Sequence, residues 1–265
     1  MTIANRDDYY AALAGAQTIR MYKSASRTSV AAAPFSVFDL AGDPGAGVLA
    51  GTSTAAGVVP TDATAGCPTI NAFAGGATGY LMDVEFGSSV AGRIAIYDLL
   101  FKAGAYAFNA NTALSSQPSY AGRVPGGVYT GCEIWIEAVT AFTGTPSFNI
   151  SYTDQGGAAG STGAVSAGAA LSLGRMFKMP FAAGDDGAQS ITNVAATVAS
   201  AGTFNVLVMR RLWQGRVRIA NDGDRHDGAK VGLPIVFADS ALVMVVTADS
   251  TATGLPDCEL RIGNK

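Results

Sequence analysis

Histidine is nearly missing from this chain: His226 is the only one in 265 residues. Charged residues make up 14% of the total, and there are three cysteines. Each shortage narrows the chemistry. General acid–base catalysis draws most often on histidine, so any imidazole-dependent reaction would have to run through the one loop that holds His226. Cys67, Cys132 and Cys258 are widely spaced and odd in number, which gives neither a dense disulfide framework nor a Cys-x-x-Cys metal knuckle. They are expected to be structural thiols, the alternative being a pair between distant strands that the sequence does not assign. A net charge of −3 and an isoelectric point near 5.1 provide no basic face for nucleic acid. The longest apolar runs, such as Ala241-Leu242-Val243-Met244-Val245-Val246, have the length of a strand, well short of the roughly 18–20 residues of a membrane-spanning helix. Residues 1–8 do not show a basic region followed by an apolar one, so no secretory signal is expected.

What is abundant is glycine, at 33 positions, within a chain that is 49% hydrophobic and has a mean hydropathy of +0.27. That balance supports a sizeable core. Asn5 has the character of an N-cap, with Asp7 and Asp8 in the first turn, where the helix dipole favours negative charge. Tyr9, Ala12, Leu13 and Ala16 then share a face, so a short helix is expected to feed an extended segment at 18–23. Strands are expected at 79–86, 92–99, Cys132–Thr140, 147–153, 176–181, 190–199, 203–212, 233–237, 241–248 and 259–262. Several alternate with period two: Phe148, Ile150 and Tyr152 oppose Asn149 and Ser151, and Ile134 and Ile136 oppose Glu133 and Glu137. Glycine-rich turns separate them, and no strand–helix–strand rhythm appears. The expected fold is mainly β, an antiparallel β-sandwich (jelly-roll-like) with a short N-terminal helix and long loops. In domain terms this is a helix and arm over 1–30 and a single sandwich domain over 31–265, with long loops near 41–75 and 103–130. The first of these loops is expected to lie ordered across a neighbouring surface, because Val48, Leu49, Val58, Val59 and Ile70 punctuate it.

The chemical candidates are few. Asn221-Asp222-Gly223-Asp224-Arg225-His226-Asp227-Gly228 is the main polar cluster. Asp222, Asp224 and Asp227 could offer oxygens to a hard cation, but the spacing is not that of an EF-hand. An exposed turn neutralised by Arg225, with a solvated His226, is expected instead. No Gly-x-Ser-x-Gly elbow accompanies the histidine. Glu133 and Glu137 share one strand face, about 13 Å apart at strand rise, beyond the roughly 6.5–9.5 Å of an inverting carboxylate pair. They read as the solvated side of a sheet flanking Trp135. No phosphate-binding glycine loop is present, and the basic group Arg210, Arg211, Arg216 and Arg218 is local. No catalytic residue, cofactor or metal is expected, and the chain reads as a non-enzyme.

The order of several stretches resembles a family of structural proteins of tailed bacteriophages that accompany the capsid, similar in role to head decoration or minor capsid proteins. The stretches are Asp7-Asp8-Tyr9-Tyr10-Ala11-Ala12-Leu13-Ala14-Gly15-Ala16-Gln17 leading to Ile19-Arg20-Met21-Tyr22-Lys23, Gly42-Asp43-Pro44-Gly45-Ala46-Gly47, Gly57-Val58-Val59-Pro60-Thr61, Gly92-Arg93-Ile94-Ala95-Ile96-Tyr97-Asp98, Ser151-Tyr152-Thr153-Asp154-Gln155-Gly156-Gly157, Arg210-Arg211-Leu212 and Gly232-Leu233-Pro234. The likeness is of texture and order rather than of one diagnostic motif. It implies a sandwich that is made in the host cytoplasm and sits on the capsid exterior of the virion. The implied partners are the major capsid protein and copies of the chain itself, a homotrimer being the natural guess, without nucleic acid or membrane. Small, uncharged side chains suit such close packing, since they lose little rotamer entropy when immobilised. Tyr9, Tyr10, Leu13, Tyr106, Phe108, Tyr120 and Trp135 are the expected interface residues, aromatics being enriched where proteins meet; the alternative for the rings of the 103–129 loop, Tyr106, Phe108, Tyr120 and Tyr129, is that they cap the open end of the sandwich. The alternatives are a phage tail or baseplate component, and a glycan-binding sandwich module using Trp135, Tyr106 and Tyr120.

Overall fold

The computed structural model describes residues 3–197 and 201–265; the end of the expected strand 190–199 lies outside the described residues. The helix runs Arg6–Ala14, and Asn5 caps it by accepting a hydrogen bond from the Asp8 backbone N–H at 2.9 Å. Asn5→Ala should lower stability by about 1 kcal/mol, read as a small fall in the urea midpoint. The helix does not stand off as an arm. Ala12 is buried with Tyr80 and Met82, while Tyr9 and Leu13 pack against them. The following strand, Gln17–Lys23, pairs antiparallel with the last one, Pro256–Asn264, so the two ends of the chain are woven into one sheet.

Among the described residues the architecture is antiparallel and mainly β, built from three sheets. The central sheet runs, in spatial order, Met176–Lys178, Cys132–Thr140, Thr203–Val217, Gly92–Ala107, Leu242–Ala248 and Pro34–Ser36, with Ser53–Val58 also paired to Gly92–Ala107. The terminal sheet runs Asp222–His226, Gly79–Ser88, Pro256–Asn264, Gln17–Lys23 and Gly42–Asp43, with Ile235–Val236 beside Gly79–Ser88. The third sheet runs Ala159–Ser161, Ser147–Asp154, Ala188–Thr197 and Asn111–Ala113, with Val165–Ser166 beside Ser147–Asp154.

Two long strands organise the whole. Gly92–Ala107 and Thr203–Val217 span 16 and 15 residues, about 50 Å at strand rise. One end of their inner face, with Ile94, Ile96 and Leu212, packs on the terminal sheet through Val84, Phe86, Leu260 and Ile262. The other end, with Leu100, Phe204, Val206 and Val208, packs on the third sheet through Phe148, Ile150, Ile191 and Val194. The two smaller sheets therefore stand side by side on one face of the central sheet. The opposite face, with Tyr97, Leu99, Leu207, Met209, Val243 and Val245, is closed by Phe38 and Cys67 from the 37–67 segment and by Trp135 and Met176.

Between the two cores lies a charged seam. Asp98 has no exposed surface. It accepts hydrogen bonds from Arg123 and from Ser240 Oγ (2.9 Å), and the Arg210 guanidinium lies 3.5 Å from its second oxygen. Arg123 comes from the 103–130 segment and also bonds the carbonyls of Pro60 and Leu99. Arg210 also bonds the Ile235 carbonyl at 2.8 Å. The seam thus ties the terminal sheet, the central sheet and two connections to one buried carboxylate.

Several expected elements differ in extent, among them 203–212, which runs on to Val217, and 259–262, which is Pro256–Asn264. The strand expected at 92–99 continues to Ala107, so the start of the 103–130 segment is sheet. The strand expected at 176–181 is only Met176–Lys178. The one expected at 233–237 shrinks to Ile235–Val236, because Gly232 (φ 79°) and Leu233 (φ 51°) are left-handed and cannot continue an extended chain. All three cysteines are buried free thiols. Burial pushes Cys67 and Cys132 up to about 12 and Cys258 higher still, which keeps them in the unreactive thiol form.

Candidate interaction surfaces and a buried polar centre

Most of the aromatics expected at an interface face inward instead. Tyr106 is 1% exposed, and its hydroxyl donates to the Thr54 carbonyl at 2.7 Å. Tyr120 is 4% exposed and donates to the Ala188 carbonyl at 2.8 Å. Trp135 is 6% exposed, and its Nε1 donates to Glu133 at 2.9 Å. Phe108 is half-buried against the same core. Tyr106 and Tyr120 share a reason: a tyrosine buries its ring while its hydroxyl satisfies a backbone carbonyl. Tyr9 is half-buried too, donating to the Met82 carbonyl (3.4 Å) and accepting from Gly228 N–H (3.3 Å). Leu13 is half-buried, and Tyr10, 59% exposed, is the one of these side chains that points outward.

The acidic cluster is an edge strand and a helix cap rather than a cage. Asp222–His226 pairs with Gly79–Ser88. The Asp222 and Asp224 carboxylates accept from the N–H groups of Gly223 and Arg225 at 2.9 and 2.8 Å, and Asp227 caps the short helix Gly228–Val231. Arg225 does neutralise an aspartate, but it is Asp83, gripped by Nε and a terminal nitrogen at 2.8–2.9 Å. Among the described residues no group of three or more His, Cys, Asp or Glu side chains converges as metal ligands. His226 is not the solvated side chain expected from the sequence. It lies edge-on to Phe86 and Trp213, and its Nδ1 accepts from Trp213 Nε1 at 3.0 Å. That bond places the ring proton on Nε2, which faces Asp224 at 3.6 Å.

The outer face of the terminal sheet forms an open surface. Strand register sets Arg225, Glu85, Glu259 and Arg20 in one row across four strands. Gly223, Gly87, Asp257 and Tyr22 form the next row, and Arg20 bridges the two by pairing with Asp257 at 2.9 Å. The pair is exposed and adds little stability, but the rows present opposite charges in fixed order on a shallow, open face. Isolated apolar side chains stand elsewhere on the surface, including Val30, Val128 and Ile219.

The two glutamates flanking Trp135 are buried rather than solvated, because the 37–67 segment and Lys178 cover their face. Glu133 accepts from Trp135, from Lys178 (2.7 Å) and from the Tyr97 hydroxyl (3.3 Å). Glu137, 3% exposed, accepts from Asn205 Nδ2 at 2.7 Å and lies 4.0 Å from Lys102 Nζ. Asn205 has no exposed surface. Its Nδ2 also donates to the Leu49 carbonyl at 2.6 Å, and its Oδ1 accepts from Gly51 N–H at 2.8 Å. Lys102 Nζ donates to the Val48 carbonyl at 3.0 Å and lies 5.0 Å from the centre of the Phe38 ring. Desolvation pulls the Lys102 ammonium below the usual lysine range, against the opposing pull of Glu137. Gly104 makes room for this centre, since a side chain there would collide with Asn205 Oδ1. The sequence carries a faint signal of it: Lys102, Asn205 and Glu137 each stand between apolar neighbours in the chain.

No protein-family model matches the chain, and no curated protein does. Among solved structures, that of the infectious bursal disease virus Gt strain overlays 94% of this chain and 81% of its own, with 8% identity and a TM-score of 0.17. That of the Gx strain overlays 94% and 80%, with 10% identity and a TM-score of 0.16. At these scores neither overlay carries an argument about fold or function.

Proposed function

We propose that the chain is a structural protein of a tailed-bacteriophage virion that decorates or cements the capsid shell through protein–protein contacts, with the major capsid protein and copies of itself as partners. One observation carries this reading. The chain commits most of its aromatics and buried ions to internal bracing, and it turns outward a broad, open sheet face with charges fixed in rows by strand register. Such a face suits a flat neighbouring surface with complementary charge. The glycan-binding alternative rested on Trp135, Tyr106 and Tyr120 being available, and all three are buried.

The test is mass spectrometry and imaging of purified particles of the phage that encodes the chain. The chain is expected in many copies, with density on the shell lattice. Density confined to the tail would replace the decoration role with the tail or baseplate one, and particles without the chain would end the proposal. Charge reversal of Arg20 to Glu, whose pair with Asp257 is exposed, is expected to weaken shell binding at low salt while leaving the fold intact. Unchanged binding would move the contact to another face.

A further inference from the structure

We propose that Lys102 and Asn205 join in an intramolecular isopeptide bond, with Glu137 relaying the proton. The proposal goes beyond the virion role and does not depend on it.

The three side chains come from three adjacent strands of the central sheet. Asn205 stands directly across from Glu137, while Lys102 pairs with Leu207, two residues on from Asn205. Lys102 and Asn205 are therefore diagonal neighbours on one face, a separation of about 7–8 Å that a long side chain spans. One Glu137 oxygen faces both nitrogens that matter: Lys102 Nζ at 4.0 Å and Asn205 Nδ2 at 2.7 Å. The amide is also primed. Gly51 N–H points at Oδ1, where negative charge would gather in a tetrahedral intermediate, and the Leu49 carbonyl holds the nitrogen that would leave. All three side chains are buried, with Lys102 at 6%, Glu137 at 3% and Asn205 at 0% exposure. Burial favours the uncharged, nucleophilic amine and keeps water from competing for the carbonyl carbon.

The step balances without an outside reagent. The Lys102 ammonium hands a proton to Glu137, and Nζ swings from the Val48 carbonyl to attack Asn205 Cγ. As the Nζ–Cγ bond forms and the Cγ–Nδ2 bond breaks, Glu137 returns its proton to Nδ2 and takes the surplus one from Nζ. Ammonia departs and leaves with that proton as ammonium. The five hydrogens on the two nitrogens at the start become one on the new amide and four on ammonium, and the charge is unchanged. No redox change occurs.

The experiment is intact-mass measurement of the denatured full-length chain, followed by tryptic mapping. The wild-type chain should be lighter than its sequence mass by one ammonia, about 17 Da. Trypsin should leave Lys102 uncut and yield residues 94–123 joined to residues 179–210. Lys102→Arg and Asn205→Ala should restore the full mass and separate the two peptides. Glu137→Gln should do the same although both reacting groups remain. A wild-type chain at full mass, with Lys102 cleaved, overturns the proposal whether or not any variant folds. So does ammonia lost from a linear peptide holding Asn205, which is a succinimide. A cross-link that survives Glu137→Gln overturns the relay.

Discussion

Replacing Asp98 by alanine should lower the folding free energy by about 3–5 kcal/mol, the usual cost of breaking a buried ion pair from one side. The carboxylate has no exposure and faces the Arg123 and Arg210 guanidiniums, both largely buried. Without it two cations remain in a dry seam, and the Ser240 hydroxyl loses its acceptor. The measurement is urea unfolding of Asp98→Ala beside the wild type, with a lower midpoint and an unchanged slope. Combining Asp98→Ala with Arg123→Met should recover part of the loss, because one stranded charge goes with it. A loss below about 1 kcal/mol, the size seen for exposed pairs, would mean that water reaches the seam and that the carboxylate does not organise it.

Phe204→Ala should be comparably severe, at about 3–5 kcal/mol for a large side chain removed from a closed core. Phe204 is fully buried, with the rings of Phe148 and Tyr106 centred 4.9 and 5.5 Å away. Its site is the core beneath the third sheet. The long strand that carries it also supplies Leu212, Trp213 and Val217 to the other core. The damage should therefore be felt at both ends. In a Trp135→Phe background Trp213 is the remaining indole, because the chain has two tryptophans. Its fluorescence and the far-ultraviolet dichroism should shift to the same lower urea midpoint in Phe204→Ala. Two separated transitions would show that the cores unfold independently.

The sheets were largely legible in the sequence because alternation reports local geometry. Cys132–Thr140 has the same limits in the sequence pattern and in the structure, and the Asn5 cap is written in the residues around it. The pattern fails where a polar side chain is buried. Asp98 and Lys102 look like the frayed end of a strand, yet both sit inside a 16-residue one, because their partners come from Arg123, Glu137 and the 48–51 backbone. Glu133 and Glu137 alternate with isoleucines as solvated residues do, and period two cannot tell water from a covering segment. Tyr106 and Tyr120 follow the same rule in reverse. In sequence they stand among Asn, Ser, Gly and Pro, and only the folded chain supplies the carbonyls of Thr54 and Ala188 that take their hydroxyls indoors. Arg123 gives no sign in its local sequence that it is the most deeply set cation of the seam.

The two strands that run the full length of the central sheet have a mechanical consequence. In many two-core proteins a linker lets one core swivel against the other. Here the backbone of 92–107 and of 203–217 passes unbroken beneath both cores, and the Asp98 seam clamps the place where a hinge would otherwise form. Tension applied at one end of the molecule travels along covalent strands to the other end instead of prising the cores apart. The molecule is expected to behave as a stiff girder, with flexure confined to the loops at its two ends.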